Sequence, residues 1–554
     1  MNRWIGCLLG MAVVSSVHAQ VRAPANPLQT LPRTETPRQA PVQVNVQAPN
    51  EALQALLAKR ITPTRFDVVG VKSIPFSDVA ALFAPMRGKE VTIGQLVEAA
   101  NKVTELYRKH GYALSFAFIP GQDLSQGVVR VTAVEGYVSQ VDVRGDAGNM
   151  DKRIRAIAAR VVGERPLRQE TFERYTQLLG QLPGAKVSAN VPAPTTTDGA
   201  TTLVLDVTRQ RYDLSYGLDF NHPGTQGVFS LLENGATPLG EQLSVSTLFP
   251  NGSGQRLYNA TWLEPFGSDG WQGKVDASRY WGRPDTGDQL PDYLDHQLSQ
   301  DRLALSALYP LRLTNSERLN LTVSTYASKQ DDRYRNVDNG VIVALQSSVR
   351  VLSTELSWLK VSGKRSRQFS FAVAHGFDAF GAYSRAVSNL PVELGIATPD
   401  VKFTRYTMNM AFADPWPHGF GTVFRAMGQY SNDSLPSTEQ INFGGPSFAY
   451  AYDPGDAAGD SGWAASGEIN RGFIVASKWL TSLTPYIVYQ SARVYLNGAK
   501  PLIDRLDSAA VGFRASDGKH YSIDFALARP TGDRPPESND RKTRWNLTFS
   551  YKLM

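Results

Sequence analysis

The chain of 554 residues has a single cysteine, Cys7. Disulfide scaffolding and thiol chemistry are therefore excluded for everything after it. No run of 18 or more apolar residues follows residue 20, and mean hydropathy is −0.26, so a membrane-spanning helix is not expected. A net charge of +6 with no basic cluster gives no case for nucleic acid. The seven histidines are scattered without ligand spacing, so no metal site is expected. No Gly-rich loop of the Gly-Lys-Ser/Thr kind is present, which leaves no nucleotide-driven step. Gly459-Asp460-Ser461-Gly462 looks like the peptide around a serine-protease nucleophile, yet no His/Asp relay is identifiable. Asp331-Asp332 and Asp213/Asp219 read as solvated loop and lumen residues rather than acid/base pairs. Neither an enzyme nor a cofactor is expected.

What is present begins with an export signature. Asn2-Arg3, the apolar run Trp4 to Val17 and the small-x-small triplet Val17-His18-Ala19 read as a signal peptide over 1–19. Export without cysteine suits a bacterial envelope protein. Residues 20–61 are Pro-rich, with one short helical stretch from Glu51 to Lys59.

Two units of one pattern follow. In 62–137, a strand at Arg65 to Val71 precedes helices at Ser77 to Met86 and Thr92 to His110, then strands at Ala113 to Ile119 and Gly127 to Val134. In 138–209, a strand at Val138 to Val143, helices at Met150 to Val161 and Gln169 to Leu182, and strands at Val187 to Val191 and Thr201 to Val207 repeat the β-α-α-β-β order.

From 210 to 554 the period changes to two. Tyr212, Leu214, Tyr216, Leu218 and Phe220 share one face, as do Leu319 to Thr325, Tyr406 to Phe412, and Trp545 to Leu553 taken at every second residue. Segments of about 10 residues with this alternation are the mark of a transmembrane barrel of about 16 antiparallel strands. Lipid cannot satisfy backbone polar groups, so such strands must pair and close on themselves. A soluble β-sandwich or solenoid is the alternative. Against it stand the aromatics near segment ends (Tyr280, Trp281, Trp358, Trp416, Trp479), the room for about 16 strands, and a final strand reaching almost to the last residue.

Between two such segments lies an unusual stretch, 443–462. It is Gly-rich and acidic but carries Phe443, Phe448, Tyr450 and Tyr452, more rings than a surface loop keeps. It reads as a loop folded inside the barrel.

These residues resemble the two-partner secretion transporters of the haemolysin-activator and filamentous-haemagglutinin-secretion type, within the Omp85 superfamily. Tyr107, Gly111, Tyr112, Pro120, Gln122, Gly127, Glu135 and Gly136 look like the signature of the first POTRA domain, residues 138–209 are similar to the second, and Ala526-Leu527-Ala528-Arg529-Pro530 resembles a segment near the barrel's end. Gly444, Gly445, Tyr452, Gly459, Asp460 and Gly462 fit the frame of the family's sixth extracellular loop. The resemblance implies an outer-membrane pore with periplasmic POTRA domains that secretes an unfolded exoprotein. Its implied partners are a large β-helical adhesin, haemolysin or toxin, outer-membrane lipid, and the periplasmic chaperones and barrel-assembly machinery of biogenesis. A barrel-assembly factor of the same superfamily is the alternative, though such factors usually carry more than two POTRA modules; a passive porin would need none.

Three departures from the family pattern stand out. The loop Arg that reaches an Asp on the barrel wall falls here on Tyr450, and the Asp on Gln490. Losing both charges together is what burial requires. A bond from the Tyr450 hydroxyl to the Gln490 amide is the expected substitute. The chain ends Leu553-Met554 rather than in an aromatic. The prolines from Pro24 to Pro49 disfavour a long plug helix. Substrate is expected to add as a strand to a POTRA sheet, with Leu124, Val128, Leu203 and Leu205 setting register.

Overall fold

The computed structural model describes residues 57–553, except 195, 222–224, 250–253, 284–289, 392–393, 447 and 537. The signal peptide and nearly all of the Pro-rich segment, including most of the Glu51–Lys59 helix, lie outside the described residues.

The first unit folds as its pattern demands. Thr92 caps the helix Ile93–Lys109 in a reciprocal box with Gln95, and Leu96, Ala99, Val103 and Tyr107 form its buried stripe. The helix ends because Gly111, at φ 84°, takes the left-handed turn. Tyr112 N then donates to Tyr107 O, and Gly111 N to Arg108 O. The strand Val128–Val134 lies between Arg65–Val69, parallel, and Phe116–Phe118, antiparallel. The second unit repeats this arrangement. Ala200–Arg209 sits between Tyr137–Gly145 and Ala185–Asn190, covered by the helices Asp151–Ala158 and Gln169–Gly180. Leu203 and Leu205 are completely buried there. They are core residues, not the substrate-facing pair the sequence suggested, because the inward parity of a one-sided sheet belongs to its helices.

The rest closes into a barrel of 16 antiparallel strands among the described residues. Two of these strands are broken. Arg365–Gly376 and Tyr383–Ser388 both pair with Ile342–Ser362, and Ser461–Arg471 and Phe473–Ile474 both pair with Ser482–Tyr495. Closure joins Arg544–Lys552 to Tyr212–Asp219, with Tyr551 opposite Tyr216 and their rings 5.6 Å apart. All four alternating apolar faces named above point outward. Trp281, Trp416 and Trp479 are exposed, but Tyr280 is not a girdle residue. It is buried inside against Val228, Leu248, Leu257 and Leu298, since a neighbour of outward Trp281 must face in.

The barrel's near end docks on the second unit. Arg174 donates to Pro310 O (2.9 Å), Asp269 O (2.9 Å) and the Tyr309 hydroxyl (3.1 Å). Asp269 accepts from Tyr175 (2.9 Å) and Arg160 (2.8 Å). Burial pushes the Asp269 carboxyl up, but those two bonds and the guanidinium charges outweigh it and hold it below the usual range.

Candidate functional site

The stretch 443–462 lies within the barrel, packed on its wall. Its neck is a short hairpin, Ile441–Phe443 against Ala457–Gly459, and Ser461 already begins the next barrel strand. Beyond the neck the chain doubles back. Gly444 (φ 120°) donates to Phe448 O at 3.1 Å, and Gly445 (φ 74°) to Tyr452 O at 2.8 Å. A Cβ at Gly444 would lie 1.9 Å from Asp453 O, so no side chain fits there. Phe448, Tyr450 and Tyr452 are buried with Ala464, Val488, Ala492, Ala510, Ala526 and Ala528. The small residues of the wall make room for the rings of the loop. The Ala526–Pro530 resemblance thus corresponds to loop-facing wall, with Leu527 turned outward.

Tyr450 and Gln490 do meet, though not as expected. The Tyr450 backbone N–H donates to Gln490 Oε1 at 2.9 Å. The hydroxyl bonds instead with the Tyr486 hydroxyl, which donates to Asp524 at 2.6 Å. Beneath it, Arg514 pairs with both Glu468 oxygens (2.8 and 2.7 Å) and with Asp524 (3.1 Å). The ring runs along the wall to Tyr486, four residues from Gln490 on the same strand, so the main chain makes the Gln490 contact. Two more wall side chains grip the backbone: Ala451 N donates to Ser508 Oγ (3.2 Å), and Asn546 Nδ2 to Tyr450 O (3.0 Å). Tyr452 donates its hydroxyl proton to Asp533 O at 2.7 Å.

The loop is not held by neutral contacts alone, which corrects the sequence expectation. Arg544 meets Asp453 at 2.9 Å on the return limb. Glu439, before the neck, accepts from Tyr326 (2.7 Å) and pairs with Arg405 (3.1 Å) on the neighbouring barrel wall. Asp460 is buried and ties three segments together. It accepts from Leu435 N (2.8 Å), Gln440 Nε2 (3.1 Å) and Asn497 N (2.8 Å). Gly459 and Gly462 stand where a Cβ would come within 2.7 Å of Tyr495 O and Arg493 O, respectively. Sequence reasoning named Asp460 but missed Arg405, Glu439, Tyr326, Asp453 and Arg544. Nothing local in the chain links residues so far apart.

The signature in the first unit is a folding device. Glu135 accepts from Lys72 N (2.8 Å), Ser73 N (2.7 Å), Ser73 Oγ (3.0 Å) and Tyr107 Oη (3.1 Å). Burial and then the Glu135 charge push the Tyr107 hydroxyl up, so it stays a donor. Pro120 follows the end of the strand Phe116–Phe118, and Gln122 takes over its pairing. The Gln122 amide donates to Arg130 O and accepts from Arg130 N, both at 2.8 Å. Gly127 (φ 66°) receives Thr64 N at 2.7 Å. A Cβ at Gly136 would meet Leu114 O at 2.3 Å.

Residues 61–136 match the model of the POTRA domain, ShlB-type, and residues 243–515 match that of the haemolysin secretion/activation protein ShlB/FhaC/HecB. The chain belongs to the two-partner secretion transporters. It is an outer-membrane protein with its POTRA domains in the periplasm. Relatives include the heme/hemopexin transporter protein HuxB of Haemophilus influenzae (strain 86-028NP), 20% identical over 83% of this chain and 81% of that one. The outer membrane transporter CdiB of Dickeya dadantii (strain 3937) is 23% identical over 80% of this chain and 78% of its own. Among solved structures, CdiB from Escherichia coli has the same fold, with a TM-score of 0.67 at 18% identity, covering 96% of this chain and 94% of that one. BamA from Haemophilus ducreyi lacking POTRA domains 1-3 aligns with a TM-score of 0.53 at 12% identity, covering 89% and 100%.

Proposed function

We propose that this transporter receives one large, unfolded exoprotein in the periplasm and passes it through the lumen once the tip of the 443–462 loop withdraws. The edge strands Phe116–Phe118 and Ala185–Asn190 offer unpaired backbone to an extended chain, as strand addition requires. The observation that carries the gating half is how the tip is fastened. Gln490, Ser508 and Asn546 hold only main-chain atoms, by neutral hydrogen bonds. Each contributes about 0.5–1.5 kcal/mol net, so they release in small steps as an incoming chain offers its own backbone in exchange. Folding of the exported chain outside the cell then makes transfer directional. The glycines at 444, 445, 459 and 462 and the Asp460 junction act as the frame that keeps the neck in place, and the residues at 107–136 as the frame of the receiving domain. Deleting the gene and comparing secreted and surface proteins tests this reading. Loss of one large exoprotein with an unchanged set of outer-membrane barrels is the expected result; depletion of many barrels would reject export in favour of barrel assembly.

A further inference from the structure

The outer face of the barrel carries a charged cluster that secretion does not use. Cross-strand register places Tyr258, Arg279, Asp301, Lys329 and Ser348 in one row across five strands. The next row toward the periplasm runs Val245, Ala260, Ala277, Leu303, Ala327, Arg350. Both rows share the outward parity of Trp262, Leu305 and Leu352, which are exposed. Together they line a groove of about 560 Å³. Its floor is alanine, its rim aromatic and cationic.

The charge does not balance within the protein. Arg279 holds Asp301 through two bonds, 2.8 and 3.2 Å. Lys329 has no carboxylate partner among the described residues. Arg350 donates only to Ser348 Oγ and Val349 O, both at 2.9 Å. Two cations thus face the membrane side without an anion among the described residues.

Their depth fits a headgroup. From Asp301 to outward Tyr309, which meets Trp271 at the periplasmic girdle (4.7 Å between rings), the strand rises about 20 Å once tilt is allowed for. An apolar band is about 25 Å tall between its girdles. Arg279 and Lys329 therefore stand near the outer-leaflet boundary, level with Tyr258 and one row below the exposed Trp281, with Arg350 one row lower, level with the exposed Leu303. Uncompensated charge on a lipid-facing strand is unfavourable and is relieved by an anion at that level. Guanidinium and ammonium groups side by side suit phosphate, and basic pockets on membrane proteins take phosphorylated head groups.

We propose that this groove binds a phosphorylated glycolipid of the outer leaflet, its phosphate between Lys329 and Arg350 and an acyl chain on the floor formed by Ala260, Ala277 and Ala327. The test uses the purified full-length protein in detergent micelles, titrated with bis-phosphorylated lipid A, the same lipid dephosphorylated, and inorganic phosphate, with bound lipid read by native mass spectrometry. Preference for the phosphorylated lipid should be at least tenfold. It should be lost in Lys329→Gln/Arg350→Gln and kept in Lys360→Gln, a cation at the periplasmic end. Asp301→Asn frees Arg279 and should tighten binding by about threefold, a gain that a merely structural cluster would not show. If the double variant does not fold as a heat-modifiable barrel, Lys329→Gln alone, at an exposed position, is expected to weaken binding several-fold. Equal binding of the phosphorylated and dephosphorylated lipids overturns the proposal, as does indifference to the variants. So does competition by inorganic phosphate as strong as that of the lipid, which would make the ligand a free anion.

Discussion

At the root of the lumen loop, one buried carboxylate, Asp460, gathers three donors from two segments, and another, Glu439, meets Arg405 and Tyr326. At the tip, Gln490, Ser508 and Asn546 touch only the main chain of Tyr450 and Ala451. Apart from the Asp453–Arg544 pair where the return limb begins, a few residues separate a region tied by buried charge from a 450–451 turn tied by neutral bonds and ring packing. Removing one member of a buried charged pair costs about 3–5 kcal/mol, whereas a neutral bond is worth about 1 kcal/mol. The root is built to stay and the tip to leave.

That contrast can be broken at several points. The largest effect is expected at the root. Glu439→Ala leaves Arg405 buried without its carboxylate and should lower barrel stability by about 3–5 kcal/mol, read as a lower unfolding temperature in the heat-modifiability assay. Asp460→Ala orphans two main-chain donors and an amide, for about 2–4 kcal/mol, and should leave the loop cleavable by added protease on intact cells. Glu135→Ala, which strands four donors in the first POTRA domain, should cost that domain about 2–3 kcal/mol in chemical denaturation while leaving the barrel unchanged. Gln490→Ala should cost only about 1–2 kcal/mol yet raise the frequency of channel openings in planar bilayers. Tyr450→Phe, which loses only the bond to Tyr486, should change stability by about 1 kcal/mol or less and openings least of all.

Much of this architecture was legible in the sequence because it rests on hard local constraints. Gly111 occupies a backbone conformation that other residues rarely adopt, and Gly444 one where no side chain fits. Period-two runs such as Tyr406 to Phe412 can satisfy lipid only by closing into a barrel. The period rule, applied strictly, also rejects Tyr280 as a girdle residue beside Trp281, since adjacent strand residues face opposite ways. The Tyr450–Gln490 contact was legible as a pair of positions but not as a pair of atoms. Which end of a residue reaches the wall depends on how the chain doubles back at Gly445. The Arg405–Glu439 and Asp453–Arg544 ties were not legible. Each joins a loop to a distant strand, and only the closed barrel brings them together.

The contrast between tip and root is tested most directly by stapling each in turn, with Cys7 the only native cysteine to compete. Ala451→Cys with Ser508→Cys would fix the tip to the wall. Asn442→Cys with Ala458→Cys, register partners in the neck, would fix the root. Secretion of the exported protein and bilayer conductance are followed before and after reduction. The expected result is that the oxidised tip staple stops secretion and large openings, that reduction restores both, and that the neck staple changes neither. Normal secretion through a barrel whose tip is demonstrably crosslinked would contradict the proposal that the tip must leave the lumen.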